Sequence, residues 1–180
     1  MRIGFVGHAS IAVDTRGIRV LSDPWWSGPC FGTQWWVHPA PALDLVRARD
    51  PDFIYISHGH HDHLHFGTLQ RLPKTAKVLV GRELDLAAST RDAGFETIEL
   101  DARVPTEIAP SVHVEIAPTH AGDSYMMIAD GTSTCLNLND ALHAAPDAVV
   151  ARTIDDLRAR YGRVDYVFCG YGIASHFPAC

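Results

Sequence analysis

Five of the eleven histidines in this chain lie within one short segment that ends at His65. The segment has the sequence Ser-His-Gly-His-His-Asp-His-Leu-His over residues 57–65, and it directly follows an apolar run at Phe53–Ile56. That run predicts a buried strand, and the loops after the carboxyl ends of strands are where α/β proteins gather ligands. Imidazole and carboxylate groups together suit zinc, iron or manganese. The segment therefore predicts a metal site at the end of a strand.

The spacing within this segment also favours a metal site. His58 and His60 are two residues apart, so in extended backbone they project to the same side. Asp62 and His63 follow as the chain turns toward a predicted helix. The four cysteines form no C-x-x-C pair, so a thiolate zinc site is not expected. Two further histidines lie outside the pattern, and we expect them to serve other roles: His61 and His65.

Strand and helix patterns alternate along the rest of the chain. Helical patterns occur at 42–49, 65–72, 83–93 and 148–161, and strand patterns occur at 3–6, 10–13, 18–21, 77–80, 95–100, 112–117, 125–129, 134–138 and 164–168. This alternation predicts an α/β architecture with sheets inside and helices outside. The chain has 180 residues without a linker or a repeat, and domains average roughly 150 residues. We therefore expect a single domain over residues 1–180.

The composition excludes several classes of protein. The apolar fraction of 47% and the charged fraction of 20% are ordinary for a soluble globular protein. Fifteen basic and 21 acidic residues give a net charge of −6, which argues against binding to a nucleic-acid backbone. A small-molecule substrate is the expected partner. Because the sequence has neither a long apolar run nor a signal-peptide pattern, we expect a cytoplasmic protein without a membrane span.

The motif H-x-H-x-D-H over residues 58–63 resembles the signature of the metallo-β-lactamase fold superfamily. The resemblance implies an α/β fold of the four-layer αββα sandwich type that holds a pair of divalent metal ions. It implies that His58, His60 and a later histidine bind one ion, and that Asp62, His63 and a last histidine bind the other. A carboxylate bridges the ions in that family. Zinc is the metal that we expect first, with iron or manganese as alternatives.

Three later positions match the remaining ligands of the family. His120 follows a predicted strand and is expected to bind the first ion, with His113 as its rival. Asp140 ends the strand pattern 134–138 and is the expected bridging carboxylate, with Asp123 as the alternative. His176 follows the last strand pattern and a Gly-rich turn, and it is the expected last ligand.

Weaker motifs resemble narrower branches of the superfamily. Segments 7–10 (Gly-His-Ala-Ser) and 22–25 (Ser-Asp-Pro-Trp) resemble the opening of the branch that includes L-ascorbate-6-phosphate lactonases and N-acyl-phosphatidylethanolamine phospholipase D. Residues 137–140 and the Trp-rich loop 23–39 resemble CMP-N-acetylneuraminate hydroxylase relatives. In such proteins Asp23 lies near the site, which implies that it orients a metal-bound histidine. The alternative for Asp23 is a turn residue before proline, and His8 either lines the cleft or belongs to the core or surface.

The length of the chain departs from the family pattern. Superfamily members usually have further strands and a helix after the last ligand, whereas this chain ends four residues after His176. The expected sandwich is therefore shortened at its carboxyl end, as in a minimal member, a truncated form or one piece of a split protein.

These features predict a metal-dependent hydrolase that acts on an ester, lactone, amide or phosphodiester bond. Metal ions lower the pKa of a bound water from 15.7 toward about 7, and the hydroxide attacks a carbonyl or phosphoryl centre. Asp62 is expected to shuttle the proton to the leaving group. The loop that carries Trp25, Trp26, Trp35 and Trp36 forms either an apolar wall over the site or local core packing. The alternative functions are a diiron oxidoreductase on the same fold and a non-catalytic, metal-stabilised scaffold.

Overall fold

The computed structural model describes residues 1–119, 122–143 and 145–170, and these residues form two β-sheets. The first sheet contains, in spatial as well as chain order, β1 (Arg2–Gly7), β2 (Ser10–Thr15), β3 (Ile18–Ser22), β4 (Phe53–Tyr55), β5 (Lys77–Gly81) and β6 (Glu96–Leu100). The second sheet contains β7 (Thr106–Ala109), β8 (Val112–Pro118), β9 (Ser124–Ala129), β10 (Thr134–Asn139) and β11 (Tyr166–Cys169). Its spatial order is β11-β10-β9-β8-β7. Strands β3 to β6 pair in parallel, as do β10 and β11, and the other neighbours are antiparallel.

The helices of the described residues lie outside the sheets. They are α1 (Leu43–Arg47), α2 (Phe66–Leu69), α3 (Ala87–Asp92) and α4 (Asp147–Tyr161). None of these helices has the length and apolar composition that are needed to span a lipid bilayer.

Alternate side chains of the strands face opposite sides of each sheet and so build separate apolar layers. In β5, Val78 and Val80 pack beneath α2 and α3, whereas Leu79 faces the second sheet and shares a cluster with Ile116. Leu157 of α4 covers the outer face of the second sheet. Each aliphatic side chain buried in this way contributes about 1.5–3 kcal/mol. The order of helix, sheet, sheet and helix confirms the expected four-layer αββα sandwich.

Buried hydrogen bonds join the two sheets at the carboxyl end of β4. The Tyr55 hydroxyl donates to the carbonyl oxygen of Ser124 at 2.9 Å, and Ser124 Oγ donates to the carbonyl oxygen of Ser57 at 2.7 Å. Burial, and then the nearby Asp23 carboxylate, raises the pKa of Tyr55 well above its ordinary value. The phenol therefore stays protonated and donates. These bonds fix the start of the histidine-rich segment against the second sheet.

Two local features differ from the sequence-based prediction. Strand β7 was not predicted, because it is short and lies between Pro105 and Pro110. The helical pattern at 83–93 is interrupted by Asp85, whose left-handed backbone (φ +54°) ends a 3-10 turn at Arg82–Leu84 before α3 begins.

Asp130 joins the β9–β10 hairpin to the first sheet. Its Oδ1 accepts hydrogen bonds from the backbone N–H groups of Thr132 at 2.9 Å and Ser133 at 2.7 Å, and its Oδ2 accepts one from Thr15 Oγ1 at 2.6 Å. Burial alone would raise the pKa of this carboxyl, but the hydrogen bonds outweigh burial and hold the pKa well below its ordinary value.

We expect the Asp130 carboxylate to contribute stability that is fully present above about pH 4 and is lost as the pH falls toward the lower folded pKa. Asp130→Asn should therefore lower the free energy of unfolding at neutral pH by roughly 1–3 kcal/mol. It should also reduce the further loss of stability on acidification below about pH 4. Urea unfolding across this pH range tests both expectations, with the exposed Asp92→Asn as the control. An Asp130→Asn variant that follows the pH profile of the parent contradicts them.

Candidate metal centre

The histidine-rich segment begins where β4 ends, beside the end of β3. The backbone N–H of Ser57 donates to Asp23 Oδ1 at 2.8 Å, and the backbone N–H of Asp23 donates to the carbonyl oxygen of Tyr55 at 2.9 Å. Asp23 has positive φ (+37°), an uncommon backbone conformation that Asp tolerates better than most residues. The two strand ends are thereby tied together directly beneath the predicted ligands.

A first group of possible metal donors combines His58, His60 and Asp123. His58 Nε2 lies 2.8 Å from His60 Nδ1 and 3.6 Å from Asp123 Oδ1. Burial, and then the nearby His63, lowers the pKa of His58, which favours its neutral, ligating form. Asp123 directly precedes β9, so this group draws donors from both sheets.

Two further groups share His63 and continue the cluster. One contains His58, His63 and Asp140, and the other contains His8, Asp62 and His63. His63 Nε2 lies 3.4 Å from Asp140 Oδ2 and 3.5 Å from Asp62 Oδ2. The ring centroids of His58 and His63 are 4.0 Å apart. The groups therefore form one continuous cluster of imidazoles and carboxylates.

Two donor atoms of this cluster have no hydrogen-bond partner among the described residues. They are Asp62 Oδ1 and His63 Nε2, and both side chains are almost fully buried. A buried polar atom without a partner is costly, and metal ligation is one way to satisfy it. Imidazole nitrogen and carboxylate oxygen are donors that zinc, iron and manganese accept. The residues present therefore fit a divalent metal centre.

The electrostatics of the cluster also favour a cation. Burial raises the pKa of Asp62, but the His63 and His8 imidazoles outweigh it and the pKa lies far below its ordinary value. The same His63 lowers the pKa of Asp140. Burial works against protonation of His63, yet the Asp140, Asp23 and Asp62 carboxylates raise its pKa well above the ordinary value. Because several carboxylates face one small volume, positive charge is stabilised there.

Asp23 and Asn139 hold the ring of His63. The fully buried Asp23 places Oδ2 3.2 Å from His63 Nδ1, and Asn139 Nδ2 lies 2.9 Å from the same nitrogen, so Nδ1 is held by these neighbours and Nε2 faces the cluster. Asn139 Nδ2 donates to Asp23 Oδ2 at 2.5 Å and to Ser57 Oγ at 2.9 Å. The sequence analysis assigned no role to Asn139, although the residue lies in the segment 137–140 that resembles CMP-N-acetylneuraminate hydroxylase relatives. Its left-handed backbone (φ +49°) is one that Asn tolerates better than most residues.

The structure brings together most, but not all, of the predicted site residues. The predicted ligands that fall in the cluster are His58, His60, Asp62, His63 and Asp140. Asp123, the alternative bridging carboxylate, lies beside His58 and His60, which were both assigned to the first ion. Asp140 instead lies in one group with His58 and His63, residues that were assigned to different ions. The remaining two predicted ligands lie outside the described residues: His120 and His176.

Five histidines in the described part of the chain lie outside these groups: His38, His61, His65, His113 and His143. His113 is exposed and pairs with Ala129, at the end of β8 away from the cluster. His61 is exposed and stacks on Phe31 at a centroid distance of 5.5 Å. His65 is buried and caps α2 by accepting the N–H of Thr68 at 3.1 Å.

The tryptophans of loop 23–39 divide between two environments. Trp25 is buried and packs edge-on against His8 at a centroid distance of 5.0 Å, and Trp26 packs on the core beneath the helices. Trp35 is partly exposed and packs on Phe31, which lies beside His60 and His61. Trp36 is 67% exposed. Local core packing, one of the two expectations for this loop, therefore applies to Trp25 and Trp26.

The curated proteins that are similar to this chain include a hydroxylase and a protein named as an iron-sulfur protein. Cytidine monophosphate-N-acetylneuraminic acid hydroxylase of Danio rerio is 39% identical over 71 residues, which are 39% of this chain and 12% of that protein. A putative Rieske 2Fe-2S iron-sulfur protein of Mycobacterium tuberculosis is 28% identical over 99% of this chain and 36% of its own length. The chain thus spans well under half the length of the curated relatives that it matches.

The solved structures that share the fold include a hydroxylase and a possible hydrolase. CmlA, a diiron β-hydroxylase from Streptomyces venezuelae, superimposes with a TM-score of 0.68 and 23% identity over 91% of this chain and 33% of its own. A possible metal-dependent hydrolase from Veillonella parvula superimposes with a TM-score of 0.66 and 14% identity over 89% of this chain and 68% of its own. The family model for the Beta-lactamase superfamily domain matches residues 18–177. The chain therefore belongs to the metallo-β-lactamase fold superfamily, a family of metalloenzymes.

Proposed function

We propose that this chain is a metal-dependent hydrolase that cleaves an ester, lactone, amide or phosphodiester bond of a small molecule. The observation that carries the proposal is the pair of buried donor atoms, Asp62 Oδ1 and His63 Nε2, that lack a partner among the described residues. They lie in a cluster whose other donors are imidazoles and carboxylates. A divalent metal pair bound there would supply a water whose pKa falls from 15.7 toward about 7.

The proposed ligands form two half-sites, with zinc as the first choice of metal and iron or manganese as alternatives. Asp140 bridges the half-sites, as its position between His58 and His63 favours. The ligands of the first half-site are His58, His60 and His120. The ligands of the second half-site are Asp62, His63 and His176.

We propose that one carboxylate of this chain orients a metal ligand and that another transfers a proton. Asp23 accepts a hydrogen bond from the Nδ1–H group of His63 and so directs Nε2 toward the centre. Asp62 takes up the proton that the attacking water releases and passes it to the leaving group. Such a mechanism uses water as the nucleophile and needs no serine or cysteine.

Aromatic side chains beside His60 and His61 support an organic substrate. Phe31 lies 6.3 Å from the His60 ring and 5.5 Å from the His61 ring, and Trp35 packs on Phe31 at 5.1 Å. Because Trp35 is partly exposed, this pair offers an apolar surface next to the proposed centre. We propose that it contacts the substrate.

The first test is the metal content of protein purified without added metal, followed by a hydrolysis assay. Elemental mass spectrometry should give about two zinc ions per chain. The zinc-loaded protein should then hydrolyse at least one class of substrate in a panel of lactones, esters, amides and phosphodiesters, and chelation should abolish turnover. Zinc-loaded protein without turnover on the whole panel contradicts the hydrolase and favours a metal-stabilised scaffold.

The names of the relatives favour a second candidate, an iron-dependent oxidoreductase. One relative is a hydroxylase, another carries the name of a Rieske 2Fe-2S protein, and a protein that shares the fold is a diiron β-hydroxylase. The cluster offers nitrogen and oxygen donors, which suit iron as well as zinc. Electrons would then come from a partner. About two iron ions per chain and a visible absorption band that responds to reductant would support this candidate over the hydrolase.

A further inference from the structure

His8 lies in the tight turn between β1 and β2 and points to the Asp62–His63 half of the centre. Its Nε2 lies 2.9 Å from Asp62 Oδ2, and its ring centroid lies 5.5 Å from that of His63. The three residues can each direct one donor atom into a space less than 4.8 Å across. We propose that His8 Nε2 is a ligand of the metal ion that Asp62 and His63 hold, an inference that rests on the proposed metal centre.

The backbone of this turn is fixed in an uncommon conformation. His8 has positive φ (+51°), which non-glycine residues seldom adopt, and such conformations concentrate at functional sites. Ser22 ties the turn to β3, because its Oγ donates to the carbonyl oxygen of Ala9 at 3.1 Å and accepts from the N–H of Ile11 at 3.0 Å. At Gly7 (φ +153°) an added Cβ would lie 3.2 Å from the Pro41 backbone. The turn is therefore tightly constrained where it presents His8.

The His8 ring is also held from one side. Trp25 is buried and meets the ring edge-on at 5.0 Å, with an angle of 86° between the ring planes. The His8 side chain is 31% exposed, whereas Asp62 is 8% exposed. The imidazole therefore covers the open side of a buried carboxylate.

A simple hydrogen bond between His8 and Asp62 leaves part of the arrangement unexplained. Asp62 Oδ1 and His63 Nε2 still have no partner in the part of the chain that the structure describes. A similar short spacing, 2.8 Å, separates His58 Nε2 and His60 Nδ1, which belong to two residues that the family motif assigns to one ion. With His8, the described donors of this half-site would be two imidazoles, the Asp62 carboxylate and the Asp140 bridge, and the proposed ligand His176 would be a fifth.

Zinc and cobalt titrations of His8→Asn test this inference. Asn tolerates the left-handed turn, so the variant should retain the fold, and metal-free melting curves check this point. We expect one of two zinc ions to bind at least tenfold more weakly. In the Co²⁺-loaded protein, proton NMR should lose one hyperfine-shifted imidazole N–H signal. The control is His61→Asn, which changes an exposed histidine of the histidine-rich segment that lies outside the donor groups.

Retention of all imidazole signals by Co²⁺-loaded His8→Asn would overturn the inference, even if affinity fell, because a hydrogen bond to Asp62 alone explains that result. The variant His176→Ala, measured in the same zinc and cobalt titrations, tests the predicted last ligand independently of His8. The readout is metal binding, so a protein that loses an ion with His8→Asn but hydrolyses nothing upholds this inference and contradicts only the hydrolase.

Discussion

Asp140→Ala is expected to lower metal affinity and turnover by at least about 100-fold, because it removes the carboxylate that joins His58 and His63. The Asp140 side chain is 44% exposed and follows β10, so its truncation should leave the fold intact. His60→Ala should have the same effect through the first half-site. Metal content by elemental mass spectrometry and turnover on the responsive substrate measure both expectations.

The matched control for Asp140→Ala is Asp155→Ala, which removes an exposed carboxylate from α4. It should change neither metal content nor turnover. Full metal content and full activity in both Asp140→Ala and His60→Ala would contradict the metal centre itself.

Arg160→Ala is expected to lower the free energy of unfolding by about 3–5 kcal/mol, because it leaves a buried carboxylate without its cation. Glu115 of β8 is 1% exposed, and its Oε2 accepts a hydrogen bond from Arg160 Nη1. The hydroxyls of Tyr125 and Tyr161 donate to the same carboxylate at 2.9 and 2.5 Å. Burial, the first of several causes, raises the pKa of Tyr125 to about 12, so that hydroxyl stays a donor at neutral pH. The hydrogen bonds to Glu115 therefore hold α4 against the second sheet.

Urea unfolding of two further variants separates this effect from helix propensity. Arg158→Ala changes an exposed arginine of the same helix that forms no ion pair within the described residues, and it should cost less than about 0.5 kcal/mol. Adding Glu115→Gln to Arg160→Ala should restore part of the lost stability, since a neutral amide is less costly to bury than an unpaired charge. Equal stabilities of Arg160→Ala and Arg158→Ala would contradict the expectation.

The sequence was most informative where the candidate site consists of residues that are close together in the chain. The donors of the histidine-rich segment are close together in the chain, so the sequence motif identified them. The apolar run Phe53–Ile56 predicts a buried strand directly before them, so their place in the fold was also predictable. The alternation of strand and helix patterns along the chain also predicted the layers of the sandwich, because sheets and helices pack as separate layers in an α/β fold.

Contacts between distant segments were less accessible to prediction. Asp123 reaches His58 from the second sheet, and His8 reaches Asp62 across 54 residues of chain, so both contacts depend on how the elements pack. The role of Asn139 depends on its left-handed backbone, which one asparagine in a sequence does not reveal. The interruption of the helical pattern at Asp85 likewise depends on a left-handed backbone that the residue type alone does not reveal.

The donors of the candidate centre come from both sheets, since His58 and His63 follow β4 while Asp123 and Asp140 flank β9 and β10. A bound ion would therefore act as a cross-link between the two halves of the sandwich. By mass action, such an ion would stabilise the native state by about 2.7 kcal/mol at a free concentration one hundred times its Kd. The lifetime of this protein against proteolysis would then depend on the metal supply of its surroundings, quite apart from any reaction that it catalyses.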